Sequence, residues 1–299
     1  MTETANIPPA PIVDASAPKE IADGIFIIED HRIPLVPNIG IVLGTHSAMV
    51  VDSGMGRANG EAVLAAARKL AGDRKLYLTI THFHPEHGYG AEPFKGAAEI
   101  VYNRAQAEEL AAKGEAYLGM FKGMGPAVAA TLENTRLVEA DTLYDGTEHT
   151  VDLGGRTVLL KTWGQAHTQA DQVVFLPTEK ILFTGDLAEE KTFPIFPWFP
   201  PHDMDIDAGN WLQALGDCIA WNPSIVVPGH GDLRGSDILI DVRDYIRDVG
   251  ARVAMARAAG RDEGEMVETL APEIRAKHAD WHFPEWIDFA IRYFAAQQQ

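Results

Sequence analysis

The sequence holds a single cysteine, Cys218, among 299 residues, so no intrachain disulfide can form and nothing asks for an oxidising compartment. Its setting, Leu215 to Ala220, reads as a buried helix face, which makes Cys218 a core residue. Basic residues are scarce as well: 25 Lys and Arg stand against 43 Asp and Glu, a formal net charge of −18. A field of that sign repels phosphate backbones and argues against nucleic acid as substrate or partner. No stretch approaches the ~18 apolar residues of a membrane span, so no membrane partner is expected. The opening residues carry Glu3 and lack a basic segment followed by an apolar block, so a secretory signal is not expected there. These absences favour a cytoplasmic protein. Both glycine-rich phosphate-loop patterns, G-x-x-x-x-G-K-[ST] and G-x-G-x-x-G, are missing too. Asp52-Ser53-Gly54-Met55-Gly56 is therefore read as a tight strand-to-helix turn.

What is present is an ordinary globular balance, 46 % hydrophobic and 23 % charged, with enough chain to bury a sizeable core. Residues 1–19, with Pro8, Pro9, Pro11 and Pro18, read as a flexible tail or a strap on the surface. Residues 20–299 read as the folded domain, with a helical C-terminal extension. Short β-prone runs predict strands at Ile25–Glu29, Ile39–Leu43, Ala48–Asp52, Leu76–Ile80 and Glu99–Tyr102. A second series follows at Thr147–Leu153, Arg156–Thr162, Gln172–Leu176, Ile181–Thr184 and Ser224–Val227. Helices are predicted from Asn59, as the cap, to Leu70, over Ala105–Lys122 and Ile206–Trp221, and through most of the chain beyond Gly235. Strands then helices, given about twice, predict an α/β layered plan.

The densest chemistry lies in Thr81-His82-Phe83-His84-Pro85-Glu86-His87-Gly88, directly after the apolar run Leu76–Ile80. In an extended backbone His82 and His84 point to one side, and His87 follows at a turn or helix start. Neutral imidazole is a common nitrogen ligand for zinc, and a carboxylate adds a hard oxygen. Three further sites sit at strand ends: His167 in Gly164–Thr168, Asp186 after Thr184-Gly185, and His230 in Pro228–Gly231. Singly, each has a structural explanation as a turn or cap. Together, in order and each at a strand end, they form a candidate ligand set.

This ordered set resembles the metallo-β-lactamase-fold hydrolase superfamily, whose pattern is H-x-H-x-D-H, a distant His, a distant Asp and a final His, with an Asp at an early strand end. The resemblance runs from about Ala48 to Gly231, and departs from the family where Glu86 stands in place of Asp. It implies a four-layer αβ/βα sandwich with two metal sites at one edge. Carried over by position, His82, His84 and His167 hold the first metal, and Glu86, His87 and His230 the second. Asp186 bridges both, and Asp52 braces the site from behind. Oxygen and nitrogen donors without thiolate suit two zinc ions, and also iron or manganese. Glu86 is one methylene longer than Asp; it either reaches the metal or serves as a proton shuttle.

The implied activity is a cytoplasmic, dinuclear metal-dependent hydrolase of a small molecule. A metal-bridging hydroxide would attack an ester, thioester, lactone or lactam carbonyl, with Glu86 and Asp186 handling protons. The bridging Asp186 looks more like glyoxalase II and the lactonases than the β-lactamases with a Cys ligand. The alternative is a mononuclear-iron oxidoreductase similar to persulfide dioxygenases, which needs only His82, His84, His167 and Asp186. Around the site, the loop Phe193–Pro201 reads either as an apolar substrate wall, through Phe196, Trp198 and Phe199, or as a buried strap or dimer contact. Tyr89 either donates to an oxyanion or packs under that loop. His31, His46, His149, His278 and His282 read as structural or exposed. The aromatic C-terminal helix, from Trp281 to Tyr293, favours core or a homodimer interface.

Overall fold

Short runs of Val, Ile and Leu closed by polar residues satisfy their backbone and bury both faces only inside a sheet. The computed structural model, which describes residues 9–297, shows those runs as strands. The chain divides into two compact units, Met1–Leu159 and Leu160–Gln299.

The first unit carries a seven-stranded mixed sheet whose spatial order follows the chain. Its strands are β1 (Lys19–Ala22), β2 (Ile25–Ile28), β3 (Ile39–Leu43), β4 (Ser47–Val51), β5 (Lys75–Thr79), β6 (Glu99–Asn103) and β7 (Thr142–Tyr144). β1 to β4 pair antiparallel, with Leu43 opposite Ala48 across the expected turn. β4 to β7 then pair parallel. Parallel neighbours need crossovers, which are supplied by α1 (Gly56–Ala71), α2 (Pro85–Gly88), α3 (Arg104–Lys122) and α4 (Pro126–Thr131). The register Val51↔Thr79 brings Asp52 and the residues after Ile80 to one sheet edge.

The structure departs from the sequence reading at Asn59, β7, α4 and β1. Asn59 does not cap α1, which begins three residues earlier with Met55 at its N-cap. Instead the Asn59 amide donates to Pro11 O and Met55 O at 2.7 Å, and its oxygen accepts from Val13 N–H. β7 has only three residues and α4 only six, too few to show a period. β1, four residues beginning at the last residue of the expected tail, is not predicted by the sequence. Residues 1–8 of the expected tail lie outside the described residues.

In the second unit β10 (Gln172–Leu176) pairs antiparallel with β11 (Ile181–Gly185), which pairs parallel with β12 (Ile225–Pro228). β8 (Glu148–Asp152) precedes the boundary at Leu159 and β9 (Thr157–Thr162) runs across it, and the strand order is β12-β11-β10-β9-β8. The β11–β12 crossover contains α5 (Ala208–Ala220), and α6 (Asp237–Ala258), α7 (Glu263–Lys277) and α8 (Trp286–Ala296) follow. Cys218 is buried on α5, as expected, and burial pushes its thiol pKa far up. The pairing Gly185↔Pro228 sets Asp186 and His230 at the same sheet edge. Among the described residues no helix is long and apolar enough to cross a membrane.

Candidate metal centre

In the first unit, β5 delivers Thr81 and the histidines beside the fully buried strand β4. His82 and His84 lie with ring centroids 4.6 Å apart, and His82 and His87 4.2 Å apart. His87 reaches back because Pro85 opens the single turn of α2, its φ already suited to a helix start. Imidazoles this close cannot all be cations without strong repulsion, so the cluster suits neutral ligands.

Their second nitrogens are held from behind. Asp52, 1 % exposed, accepts from Thr81 N–H at 2.7 Å and faces His87 Nδ1 at 2.9 Å. The Thr81 hydroxyl lies 3.0 Å from the same carboxylate and 3.2 Å from His82 Nδ1. A carboxylate only accepts, so His87 carries its proton on Nδ1 and offers Nε2. The His87 carbonyl takes hydrogen bonds from Ser53 N–H and Oγ. From α3, Gln106 donates to Ile80 O and Thr81 O, while the Tyr117 ring stacks on His84 at 5.1 Å. Glu86 is buried in the first turn of α2.

The second unit supplies the other donors. The His167 loop is closed by Asp171, which accepts from Thr168 N–H at 2.7 Å and Thr168 Oγ1 at 3.0 Å. Asp186 follows β11, with one carboxylate oxygen 3.9 Å from His167 Nε2 and the other 3.8 Å from His230 Nε2. Both separations are too long for hydrogen bonds. They approach the span of two ligands that each lie about 2 Å from a shared ion. Asp186 therefore faces a different histidine with each oxygen, as a bridging carboxylate does. Gly229 has to be glycine here: a Cβ would sit 1.9 Å from Asp186 Oδ1. The His230 carbonyl accepts from Glu190 N–H, and the loop closes where Val226 pairs with Arg234.

The structure thus gathers His82, His84, His87 and Asp52 in one unit, and His167, Asp186 and His230 in the other. Two expected substrate-wall residues are corrected. Tyr89 is buried, with its hydroxyl donating to Gly114 O at 2.9 Å and its pKa pushed far up, chiefly by burial. Phe196 is enclosed by Trp211, Tyr293 and Phe294. Neither ring presents a surface to a substrate. The loop Phe193–Pro201 is a buried strap through Phe196, then surfaces at the half-buried Trp198 and Phe199, whose N–H groups both donate to Asp203. His46 is exposed, as expected. Gln106, Tyr117, Asp171 and Trp211 carry no local motif and are silent in the sequence, and Thr81, which opens the histidine stretch, has no role assigned to it there.

Comparison with known proteins agrees with this donor chemistry. Residues 32–230 match the family model described as the metallo-beta-lactamase superfamily. The chain belongs to that superfamily. It is 24% identical over 215 residues to a metallo-beta-lactamase type 2 of Bacillus cereus, covering 71% of this chain and 74% of that protein. It is 22% identical over 256 residues to a linear primary-alkylsulfatase of a Pseudomonas species, covering 76% of this chain and 48% of that one. Among solved structures, the inverting sec-alkylsulfatase Pisa1 from Pseudomonas sp. superposes with a TM-score of 0.71 at 16% identity, over 94% of this chain and 50% of that one. The chain thus spans about half the length of the alkylsulfatases it matches. The metallo-β-lactamase fold expected from the motifs is the fold found, an α/β sandwich of mixed sheets flanked by helices. As a superfamily member with a His and carboxylate cluster, the chain fits divalent-metal use and metal-dependent hydrolysis.

Proposed function

We propose that the protein is a dinuclear metal-dependent hydrolase of a small ester, thioester, lactone or lactam. The carrying observation is the donor set, which sorts into two groups of four that could each hold an ion and that share Asp186. One is His82, His84, His167 and Asp186, the other Glu86, His87, Asp186 and His230. The residues fit the group on their chemistry: imidazole nitrogens and carboxylate oxygens, nearly all buried, with no thiolate, a set that suits zinc. Metal ions bound there supply a water acidified toward neutral pH and a Lewis acid for the developing oxyanion.

The chain's own residues do the rest. Asp52 and Thr81 fix which nitrogens of His87 and His82 face the reaction. Asp186 and Glu86 are the two carboxylates among the donors, and with metal bound either could carry a proton toward the leaving oxygen, nitrogen or sulfur. Burial of these donors removes competing water and strengthens each electrostatic contact. Asp186 stands where thiolate-ligated relatives would place cysteine, and that favours esterase, thioesterase or lactonase chemistry over β-lactam hydrolysis.

Sulfate-ester hydrolysis is the second reading, favoured by the likeness to an alkylsulfatase over 94% of the chain. A substrate panel of carboxylic esters, thioesters, lactones, lactams and alkyl sulfates, run with and without chelator, tests both. Turnover of one class, lost on chelation and in Asp186→Asn while the fold is kept, is expected. Full turnover in folded Asp186→Asn would refute the assignment.

A further inference from the structure

Two candidate donors of the second unit, His167 and Asp186, are tied to the first turn of α5, and one buried side chain makes two of the connections. Trp211 is fully buried. Its ring meets the His167 imidazole at 5.4 Å between centroids and 64° between planes, an edge-to-face contact. Its indole N–H donates to Leu187 O at 2.9 Å, on the residue directly after Asp186. One turn back, Asp207 caps the helix by accepting from Asn210 N–H at 2.9 Å. Its own backbone N–H donates to Ala166 O at 2.9 Å, on the residue directly before His167. Phe196 of the strap packs on the same indole at 5.6 Å.

We propose that Trp211 is a positioning residue for the metal centre, holding the His167 ring and the Asp186 backbone at a fixed separation; this inference rests on the metal-centre reading above. The physical reason is that a ligand histidine binds through one lone pair in the ring plane, so ring orientation is affinity. An imidazole on a loop can rotate about two torsions, and packing limits that rotation. Here the Trp211 indole packs against the His167 ring, and the same indole is tied by a hydrogen bond to the residue after Asp186. The two contacts are separable, because phenylalanine keeps an aromatic ring and lacks the N–H.

The test is zinc affinity, measured on the full-length protein by competition with a chromophoric chelator, alongside thermal unfolding of the zinc-free chain. Trp211→Phe is expected to stay folded and bind zinc about tenfold more weakly, and Trp211→Leu about a hundredfold, the range typical of groups behind a metal ligand. Trp221→Phe is the control for general loosening. That ring stacks on Phe175 at 4.8 Å and neighbours Trp163. It should lower the unfolding midpoint and leave zinc affinity unchanged. If Trp211→Leu does not fold, Trp211→Phe decides. Wild-type affinity in folded Trp211→Phe, or an equal loss in Trp221→Phe, would overturn the proposal. Wild-type protein that takes up no zinc at all would overturn the metal centre itself.

Discussion

Changing Asp52 to Asn separates charge from shape behind the first-unit histidines. The carboxylate is buried and takes Thr81 N–H at 2.7 Å, the Thr81 hydroxyl at 3.0 Å and His87 Nδ1 at 2.9 Å. Asparagine is nearly isosteric, and it tolerates the left-handed backbone at this position, φ 67°. Its one oxygen can keep the Thr81 N–H. Its amide then turns a donor toward His87, which must answer with a bare Nδ1 and carry its proton on Nε2, the nitrogen needed for a metal. A hydrogen bond to a charged group contributes about 1.5–3 kcal/mol, so the metal-free variant should lose roughly that much stability. The inverted tautomer should weaken metal binding about ten- to hundredfold, or about 1.4–2.8 kcal/mol. Urea unfolding of the metal-free protein and chelator competition read the two effects separately. A variant that binds metal within about twofold of wild type would refute the claim that Asp52 sets the His87 tautomer.

Gly229→Ala should damage the second-unit donors through space alone. The new Cβ would lie 1.9 Å from Asp186 Oδ1 and 2.8 Å from the Gly185 carbonyl carbon, so the carboxylate must move by over about 1 Å to restore contact distance. Metal affinity should fall about a hundredfold with the circular dichroism spectrum kept. His278 governs part of the acid response. Its pKa is lowered, first by burial and then by Lys277, so the native state holds fewer protons than the unfolded chain. The stability it contributes is present above the unfolded value near about 6.5 and is lost as pH falls through the lowered native value. His278→Phe, which preserves the packing against Trp281 at 4.5 Å, should flatten the metal-free stability curve between about pH 7 and 5; an unchanged slope would assign that response elsewhere.

The parts of this molecule that were legible in its sequence are those governed by neighbours in the chain. Ile39–Leu43 and Gln172–Leu176 are strands residue for residue, because β-branched runs closed by polar residues have few other ways to bury themselves. The seven candidate donors stand out in the sequence because a histidine or carboxylate at a strand end contrasts with its apolar background. Asn59 was misplaced because its partners, Pro11 and Val13, come from far upstream, and local helix-cap chemistry carries no trace of them. The sequence leaves Tyr89 and Phe196 open between a substrate wall and buried packing, because proximity in sequence to a ligand says nothing about which way a ring faces; both are buried. Trp211 stayed silent altogether. An aromatic residue on an amphipathic helix looks like core, and only the structure shows that its neighbours are the candidate ligand His167 and the backbone of Leu187, next to Asp186.

The most direct test of the account is the metal content of the full-length protein, purified without added metal or chelator and measured by elemental mass spectrometry per chain. Close to two divalent ions per chain, with zinc dominant, is the predicted result, falling in Glu86→Gln and His84→Ala. No bound metal in active wild-type protein would contradict it outright. A single iron per chain would contradict the dinuclear hydrolase and shift the reading to oxygen chemistry.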